Sequence, residues 1–580
     1  MPASHQLDYL VKRGDLLRVR ELLSASRPED LDINAYDSSG HTPLMHAAKS
    51  PKANVDLIRL LLDHGANVHQ ESRAPYEDGR SIVSLAISCG DPLKVAALIE
   101  NGADIHYKRD HDYDALIDAS FGRDVPGDRR LIDLLRLLIA NGVELKNVSR
   151  SHGGTGLDTL SYLGRFDAVR LLLEFGADET HLKWTPLMQA VALGSLADVA
   201  KAVESQTDLE GKDPAGRTAW LVAVQSGDVA KAKLLLERGA AATALGRCGK
   251  PSLFYAIESH HGPMLKWLLE IGTAVEQTDD FGTTALMTAV ECGNTDGVDR
   301  LLKAGANIDV ERNGQTALDF VRTRELAIRL LDAGADPGHL PFEGRRALLG
   351  FDPEPDEELL NVSSSESLTG RSRRFGAGNP ERMVEPFWEG MIRAGINAYR
   401  AAERYEYNGD LTRPPVWCAQ RFGQSITRLP DGRIVQIAGE HEDSYDIDFC
   451  IYNDVFVHEP DGTIRIFGYP ECAFPPTDFH TATLVGEHIF LIGSLGYQGT
   501  RLYGQTPVYR LNIDTFRIEQ LETSGAAPGW IFKHRAIKTS AHEIRVFGGI
   551  VVTGDGGKET NTENQSSFVF DTGRLSWRRL

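Results

Sequence analysis

Thr42-Pro43-Leu44-Met45-His46-Ala47-Ala48, then Val55-Asp56-Leu57-Ile58-Arg59-Leu60-Leu61-Leu62-Asp63, then His64-Gly65-Ala66-Asn67, is the stretch that decides the first half of the chain. Thr42 suits a helix N-cap, and Pro43 sits in the first turn, where its missing N–H costs nothing. The paired alanines let neighbouring helices approach closely. Leu57, Ile58, Leu60, Leu61 and Leu62 give a second helix an apolar surface to bury, and Gly65 supplies the left-handed residue that ends it. A glycine follows a Leu-rich helix again at Gly102, Gly142, Gly176, Gly239, Gly272, Gly305 and Gly334. The gaps are 37, 40, 34, 63, 33, 33 and 29 residues, and the 63 holds two units with the missing glycine near Thr207-Asp208. The mean step is about 33.6 residues.

Thr185-Pro186-Leu187-Met188 and Gly282-Thr283-Thr284-Ala285-Leu286 restart the same unit, and with the stretch above they resemble the ankyrin motif over about residues 5–338, in roughly ten copies. Two copies depart from it, with Tyr113-Asp114-Ala115-Leu116 and Thr155-Gly156-Leu157-Asp158 at the helix start. Leu7 to Ser24 reads as a degenerate first copy whose Lys12, Arg13, Arg18 and Arg20 suit an end cap. The resemblance implies an α-solenoid whose loop fingers and inner helices present a binding surface. The fingers between about 67 and 115 exceed the period. They carry His69, Arg73, Tyr76, His106, Tyr107, Arg109, His111 and Tyr113, and aromatic and Arg side chains are the usual anchors of protein interfaces. Asp110-His111-Asp112 is too compact a run to make a full metal-ligand set.

After Asp336-Pro337-Gly338 the periodicity stops. Residues 339–382 read as an acidic and Ser/Arg-rich linker, with Phe351-Asp352-Pro353-Glu354-Pro355 followed by Ser363-Ser364-Ser365-Glu366-Ser367 and Arg371-Ser372-Arg373-Arg374. Residues 383–412 read as an amphipathic helical segment. Phe387, Trp388, Met391, Ile392, Ile396, Tyr399 and Tyr405 share its apolar face, for docking on a neighbouring domain or binding a partner.

Residues 413–580 repeat on another period. Ile434-Val435-Gln436-Ile437-Ala438-Gly439, Ile489-Phe490-Leu491-Ile492-Gly493-Ser494 and Ile544-Arg545-Val546-Phe547-Gly548-Gly549 end 55 residues apart. Each has a strand before it (Ser425–Thr427, His480–Thr483, His534–Ile537) and a hairpin after it. The hairpins pair Val455–Val457 with Ile464–Ile466, Val508–Leu511 with Phe516–Ile518, and Phe568–Phe570 with Leu575–Trp577. These segments resemble kelch-type propeller blades, although the Gly-Gly pair stands only in the third copy and the closing Trp only at Trp577. Three blades are fewer than propellers have, and open sheet edges invite pairing. A homodimer through this region, strands recruited from 383–420, or an open array would each answer that. The expected fold class is therefore α + β and multidomain: an N-terminal ankyrin α-solenoid followed by a C-terminal all-β, kelch-like partial β-propeller.

The 82 acidic against 62 basic residues give a net charge of −20, which repels phosphate backbones and argues against nucleic acid as a partner. No apolar run approaches the ~18 residues of a membrane helix. The start of the chain lacks the apolar core of a signal peptide, and six cysteines without CxxC pairs suit a reducing, cytoplasmic setting. The chain holds no GxxxxGK[ST], HExxH or GxSxG motif, and no cofactor is expected. The best-supported role is a protein-protein interaction scaffold. The alternative is an enzyme in which His441, Asp478 and His480, with Asp443 as a fourth metal ligand, activate water while the repeats select substrate. Against it, His480 and His534 occupy equivalent blade positions and serve equally well as hydrogen-bonded parts of the repeat.

Overall fold

The computed structural model describes every residue except 1–2, 28–30, 76, 78, 123–124, 151–152, 205–207, 408–414, 442–448 and 556–557, and divides into units Met1–Ala306 and Asn307–Leu580. In the first unit helices come in antiparallel pairs, beginning with Ala3–Arg13 and Leu16–Ala25 and ending with Ala285–Glu291 and Thr295–Lys303. The sequence motif works as its chemistry dictates. Thr42, Thr185 and Thr284 cap their inner helices, each Oγ1 accepting the amide three residues on at 3.4, 3.2 and 3.1 Å. The two copies that lack Thr-Pro-Leu keep the cap by other means. Asp114 Oδ1 accepts the Ile117 amide at 2.9 Å, and Thr155 with Asp158 forms a reciprocal capping box. All eight glycines of the period are left-handed, with φ between 78° and 98°. Thr207, beside the ninth expected position, lies outside the described residues. In the Val55–Asp63 helix Leu57, Ile58 and Leu61 are buried, while Leu60 and Leu62 pack partly buried at the edge of the same core.

The second unit begins with a tenth copy, a 3-10 turn Ala317–Phe320 and the helix Arg324–Asp332. The segment 339–382, expected as a linker, is built into this unit. It forms helices Phe342–Leu348 and Ser364–Gly370 and a strand Glu381–Met383. Composition misled here because a few well-placed groups suffice. Ser363 and Glu366 make a capping box, and Leu348, Leu360 and Met383 are buried. The expected amphipathic helix breaks at Gly395 (φ 67°) into Pro386–Ala394 and Ala398–Arg404. Phe387, Trp388, Met391 and Ile392 dock as anticipated, against Phe456, Ile464 and Ile466 of the first sheet, whereas Tyr399 falls past the break and is 72% exposed. Trp388 stacks on Trp417 with ring centres 4.8 Å apart.

The β-rich remainder comprises several separate sheets. Three are antiparallel meanders in which each strand pairs with the next: Ser425–Arg428, Ile434–Ile437, Val455–His458 and Ile464–Gly468; Thr481–Val485, His488–Ile492, Val508–Asn512 and Ile518–Gln520; Arg535–Lys538, Glu543–Phe547, Ser567–Asp571 and Ser576–Arg579. Glu381–Met383 adds to the outer edge of the first, and Ser524–Gly525 pairs in parallel with the outer edge of the third, while the second ends on Ile518–Gln520 among the described strands. Trp530–Phe532, Ile550–Asp555 and Lys558–Glu563 form a further three-stranded sheet. No closed propeller is formed among the described residues. Phe516 and Leu575, expected in strands, are left-handed turn residues with φ 54° and 52°. At Gly439 and Gly549 the strands end where another backbone passes: a Cβ there would lie 2.9 Å from Phe422 O and 2.6 Å from Phe532 O. That is the close approach which a small residue at those positions implied.

Candidate functional site

The long fingers divide their expected binding residues into two groups. His69, Arg73, His106 and His111 are exposed. The Arg73 guanidinium lies 3.9 Å from the centre of the Tyr36 ring, and His111 adopts a left-handed φ of 63° that turns its finger. Tyr76 lies outside the described residues. Tyr107 and Arg109, by contrast, point inward onto Asp118, which the next inner helix holds 1% exposed. The Tyr107 hydroxyl donates to Asp118 Oδ2 at 2.6 Å, and Ser84 Oγ donates to the same oxygen at 2.6 Å. Arg109 Nε donates to Asp118 Oδ1 at 3.2 Å, and its Nη2 pairs with the same carboxylate. Burial and the adjacent carboxylate push the Tyr107 phenol well above its ordinary pKa. Tyr113 stands between, its ring 4.5 Å under the Arg109 guanidinium and 5.9 Å from Phe121. These three residues therefore brace the finger that carries His106 and His111, whereas His69 and Arg73 lie on the finger before it. Phe281, at the tip of a later finger beside Gly282, is 64% exposed. Sequence reading passed over it because a lone Phe inside Asp-Asp-Phe-Gly reads as part of the turn.

In the second unit, a cavity of about 510 Å³ is lined by residues that include Phe342, Arg345, Phe422, Gln424 and His441. Among the described residues Arg345 faces it without a carboxylate partner: Nε donates to Leu340 O at 2.9 Å and Nη1 to Gln424 O at 3.3 Å, and burial pushes its pKa down to about 10. Arg421 is committed elsewhere, pairing with Asp454 and lying 3.5 Å from the centre of the Tyr452 ring.

The residues of the enzyme alternative are not gathered around this cavity. His441 lines it from the short strand Glu440–His441, but Asp478 and His480 do not. Asp443 lies outside the described residues. Asp478 is fully buried, its carboxylate accepting the Gly496 amide at 2.6 Å and the Ser494 hydroxyl at 3.2 Å; burial raises its pKa. His480 Nε2 meets Ser425 Oγ at 2.8 Å, and one repeat later His534 Nε2 meets Thr481 Oγ1 at 2.9 Å. Burial pushes both imidazoles down to about 3. The two histidines thus perform the same task, tying the first strand of one sheet to the first strand of the sheet before it. Among the described residues the group with metal-ligand geometry lies elsewhere, at Asp37, His41 and His46. The sequence carried this signal as Asp-x3-His-x4-His, hidden because the motif beginning at Thr42 absorbed His46.

With the geometry in place, the comparisons with known proteins fall on the helical repeats. Residues 7–109 and 253–339 match the model for ankyrin repeats, in three copies. The chain is 37% identical over 106 residues to the B-cell lymphoma 3 protein homolog of Mus musculus, spanning 18% of this chain and only 21% of that protein. It is 27% identical over 208 residues to an ankyrin repeat protein of Escherichia coli (strain K12), YahD, covering 34% of this chain and 97% of that one. The N-terminal helix pairs are ankyrin repeats, a class of module that indicates protein-protein interaction. No described helix is long and apolar enough to cross a membrane.

Proposed function

We propose that this protein is a cytoplasmic scaffold that recruits protein partners through its ankyrin fingers, with the C-terminal sheets as kelch-type blades offering a second surface. The observation that carries the reading is the division of labour in the long fingers. Tyr107, Arg109 and Asp118 hold one finger in place while His106 and His111 stand exposed on it, and His69 and Arg73 stand exposed on the finger before it. A rigid loop bearing exposed amphipathic side chains binds without a large ordering cost. Phe281 extends the same kind of surface to a later finger, and a tip aromatic is the residue type that dominates interface energetics. The second unit supports a tethered, two-site mode of binding, in which engagement of one surface raises the effective concentration at the other.

The test is a comparative capture experiment. The wild-type chain and a variant carrying His69, Arg73, His106 and His111 all changed to Ala are used as bait under identical conditions, with circular dichroism to establish equal folding. A partner retained by the wild type and lost by the variant supports the reading. An identical set captured by both removes these fingers from recognition.

A further inference from the structure

We propose that Asp37, His41, His46 and Glu77 form a zinc site in the N-terminal ankyrin repeats. Asp37 and His41 lie on the finger turn, His46 on the inner helix Pro43–Lys49 that follows, and Glu77 on the next finger. One ligand atom each from Asp37, His41 and His46 lies within 4.8 Å of the others. His46 Nε2 is 2.9 Å from Asp37 Oδ2, and His41 Nε2 is 2.8 Å from Glu77 Oε2. Ligands bound to zinc at about 2.0–2.1 Å sit about 3.4 Å from one another, so Asp37, His41 and His46 need only small shifts to receive the ion, and Glu77, in contact with His41, must turn inward to complete the set. This mixed donor set is the kind that zinc accepts.

The site is supported from behind. Asp37 Oδ1 is occupied by the Ser39 amide at 2.9 Å, the Ser39 hydroxyl at 2.7 Å and the His41 amide at 3.1 Å, which leaves Oδ2 as the ligand. Ser39 Oγ also meets His41 Nδ1 at 3.1 Å, which aims Nε2 toward Glu77. Such outer contacts fix the orientation of metal ligands. His41 and His46 are 5% and 7% exposed, so the site is held inside the repeat rather than on its surface.

Two further observations point to a cation. The first is local charge. Asp8, buried beside Asp37, has a carboxyl oxygen with no hydrogen-bond partner among the described residues, and Glu77 adds a further carboxylate across the His41 ring. The cations that answer them are ammonium groups on long, part-exposed side chains: Lys12 Nζ is 2.9 Å from Asp37 Oδ2, and Lys49 Nζ is 2.8 Å from Glu77 Oε2 and 3.3 Å from His41 Nε2. With side chains 47% and 37% exposed, both can swing into water when a divalent ion takes their place. The second is the repeat itself. In the copies of the same register, Asp213, Arg217 and Val222, or Asp279, Thr283 and Thr288, stand where Asp37, His41 and His46 stand here. In the copy at Asp213 the carboxylate is met by the buried Arg217 guanidinium at 2.7 Å. The imidazole pair is therefore not part of the repeat's framework, and it stands where another copy uses a fixed cation.

The experiment titrates zinc chloride into the chelator-treated full-length protein by calorimetry, with metal content measured on the same sample and cobalt(II) as a spectroscopic substitute. One equivalent, a tetrahedral cobalt spectrum without thiolate charge transfer, and loss of affinity by more than about 100-fold in His41→Gln/His46→Gln support the site, since changes confined to outer contacts cost only about 10–100-fold. Lys49→Ala removes the competing ammonium and is expected to tighten zinc binding. This arm stands even if the histidine variant folds poorly. No stoichiometric zinc, thiolate bands in the cobalt spectrum, or unchanged affinity in Lys49→Ala would each overturn the assignment.

Discussion

If Tyr107 braces its finger through Asp118, the two side chains must be energetically coupled, and a double-mutant cycle measures how strongly. Asp118 is 1% exposed and accepts from Tyr107 and Ser84, each at 2.6 Å, and from Arg109. Tyr107→Phe removes one hydrogen bond to a charged acceptor, which costs about 1.5–3 kcal/mol. Asp118→Ala strands three donors around a small void. Its cost is about 3–5 kcal/mol for breaking a buried pair, taken at the lower end because the Arg109 side chain is 29% exposed. Once Asp118 is gone, the phenol keeps only the neighbouring Ser84 hydroxyl, a neutral partner, and Tyr107→Phe should then cost much less. The expected coupling is about 1.5–3 kcal/mol. The assay is urea unfolding of the full chain followed by circular dichroism, fitted transition by transition because stacked repeats need not unfold in one step. Additivity within about 0.5 kcal/mol would refute the brace and return Tyr107 to the surface as a direct contact residue.

Three more expectations concern the interior. His458, His480 and His534 are each held by burial at about 3, far below the ~6.5 of an unfolded imidazole. The unfolded chain therefore takes up the extra protons, so stability is whole above about pH 6.5 and falls as pH drops toward 3, by about 1.4 kcal/mol per histidine per pH unit. His480→Gln should flatten that slope by one proton, measured by denaturation at pH 7 and pH 5, and an unchanged slope would contradict the assignment. Arg217→Met leaves Asp213 buried without the guanidinium that meets it at 2.9 and 2.7 Å, and about 3–5 kcal/mol should be lost; changing Asp213 to Leu as well should restore most of it. Trp388→Ala removes a ring stacked on Trp417 and the donor to Gly370 O, with an expected loss of about 3–5 kcal/mol in the second unit, read from its thermal transition.

The placement of the finger residues bears on how recognition by this chain should be probed. A joint change of Tyr107 and Arg109 that weakened a partner would act largely by loosening the loop, since both side chains are spent on Asp118. Tyr107→Phe keeps the ring while removing the brace, and so separates lost contact from lost rigidity. Arg73 and the exposed histidines can be replaced without touching Asp118.

What the sequence by itself determined is everything that depends on neighbours in the chain. The Thr caps, the left-handed glycines with φ of 78–98° and the apolar spacing of each helix pair are local requirements, so the ankyrin repeats were legible before any fold was known. Most of the three meanders was legible for the same reason, since their strands pair in chain order, although the third passes over Ile550–Asp555 and Lys558–Glu563. Only the tertiary structure decided the rest. That Glu381–Met383 would cover the edge of the first sheet, and Ser524–Gly525 that of the third, depends on pairings across 83–87 and 52 residues, which leave no periodic trace. The same holds for site residues. Tyr107 and Arg109 look like surface anchors in the sequence, yet a carboxylate on the next inner helix turns them inward. His480 looks like a metal ligand beside His441, Asp443 and Asp478 until the Ser425 hydroxyl takes it up, just as Thr481 takes up His534. Conversely, His41 and His46 gather with Asp37 only when the turn folds back on the inner helix, because a buried polar group takes its role from the partner that packing brings to it.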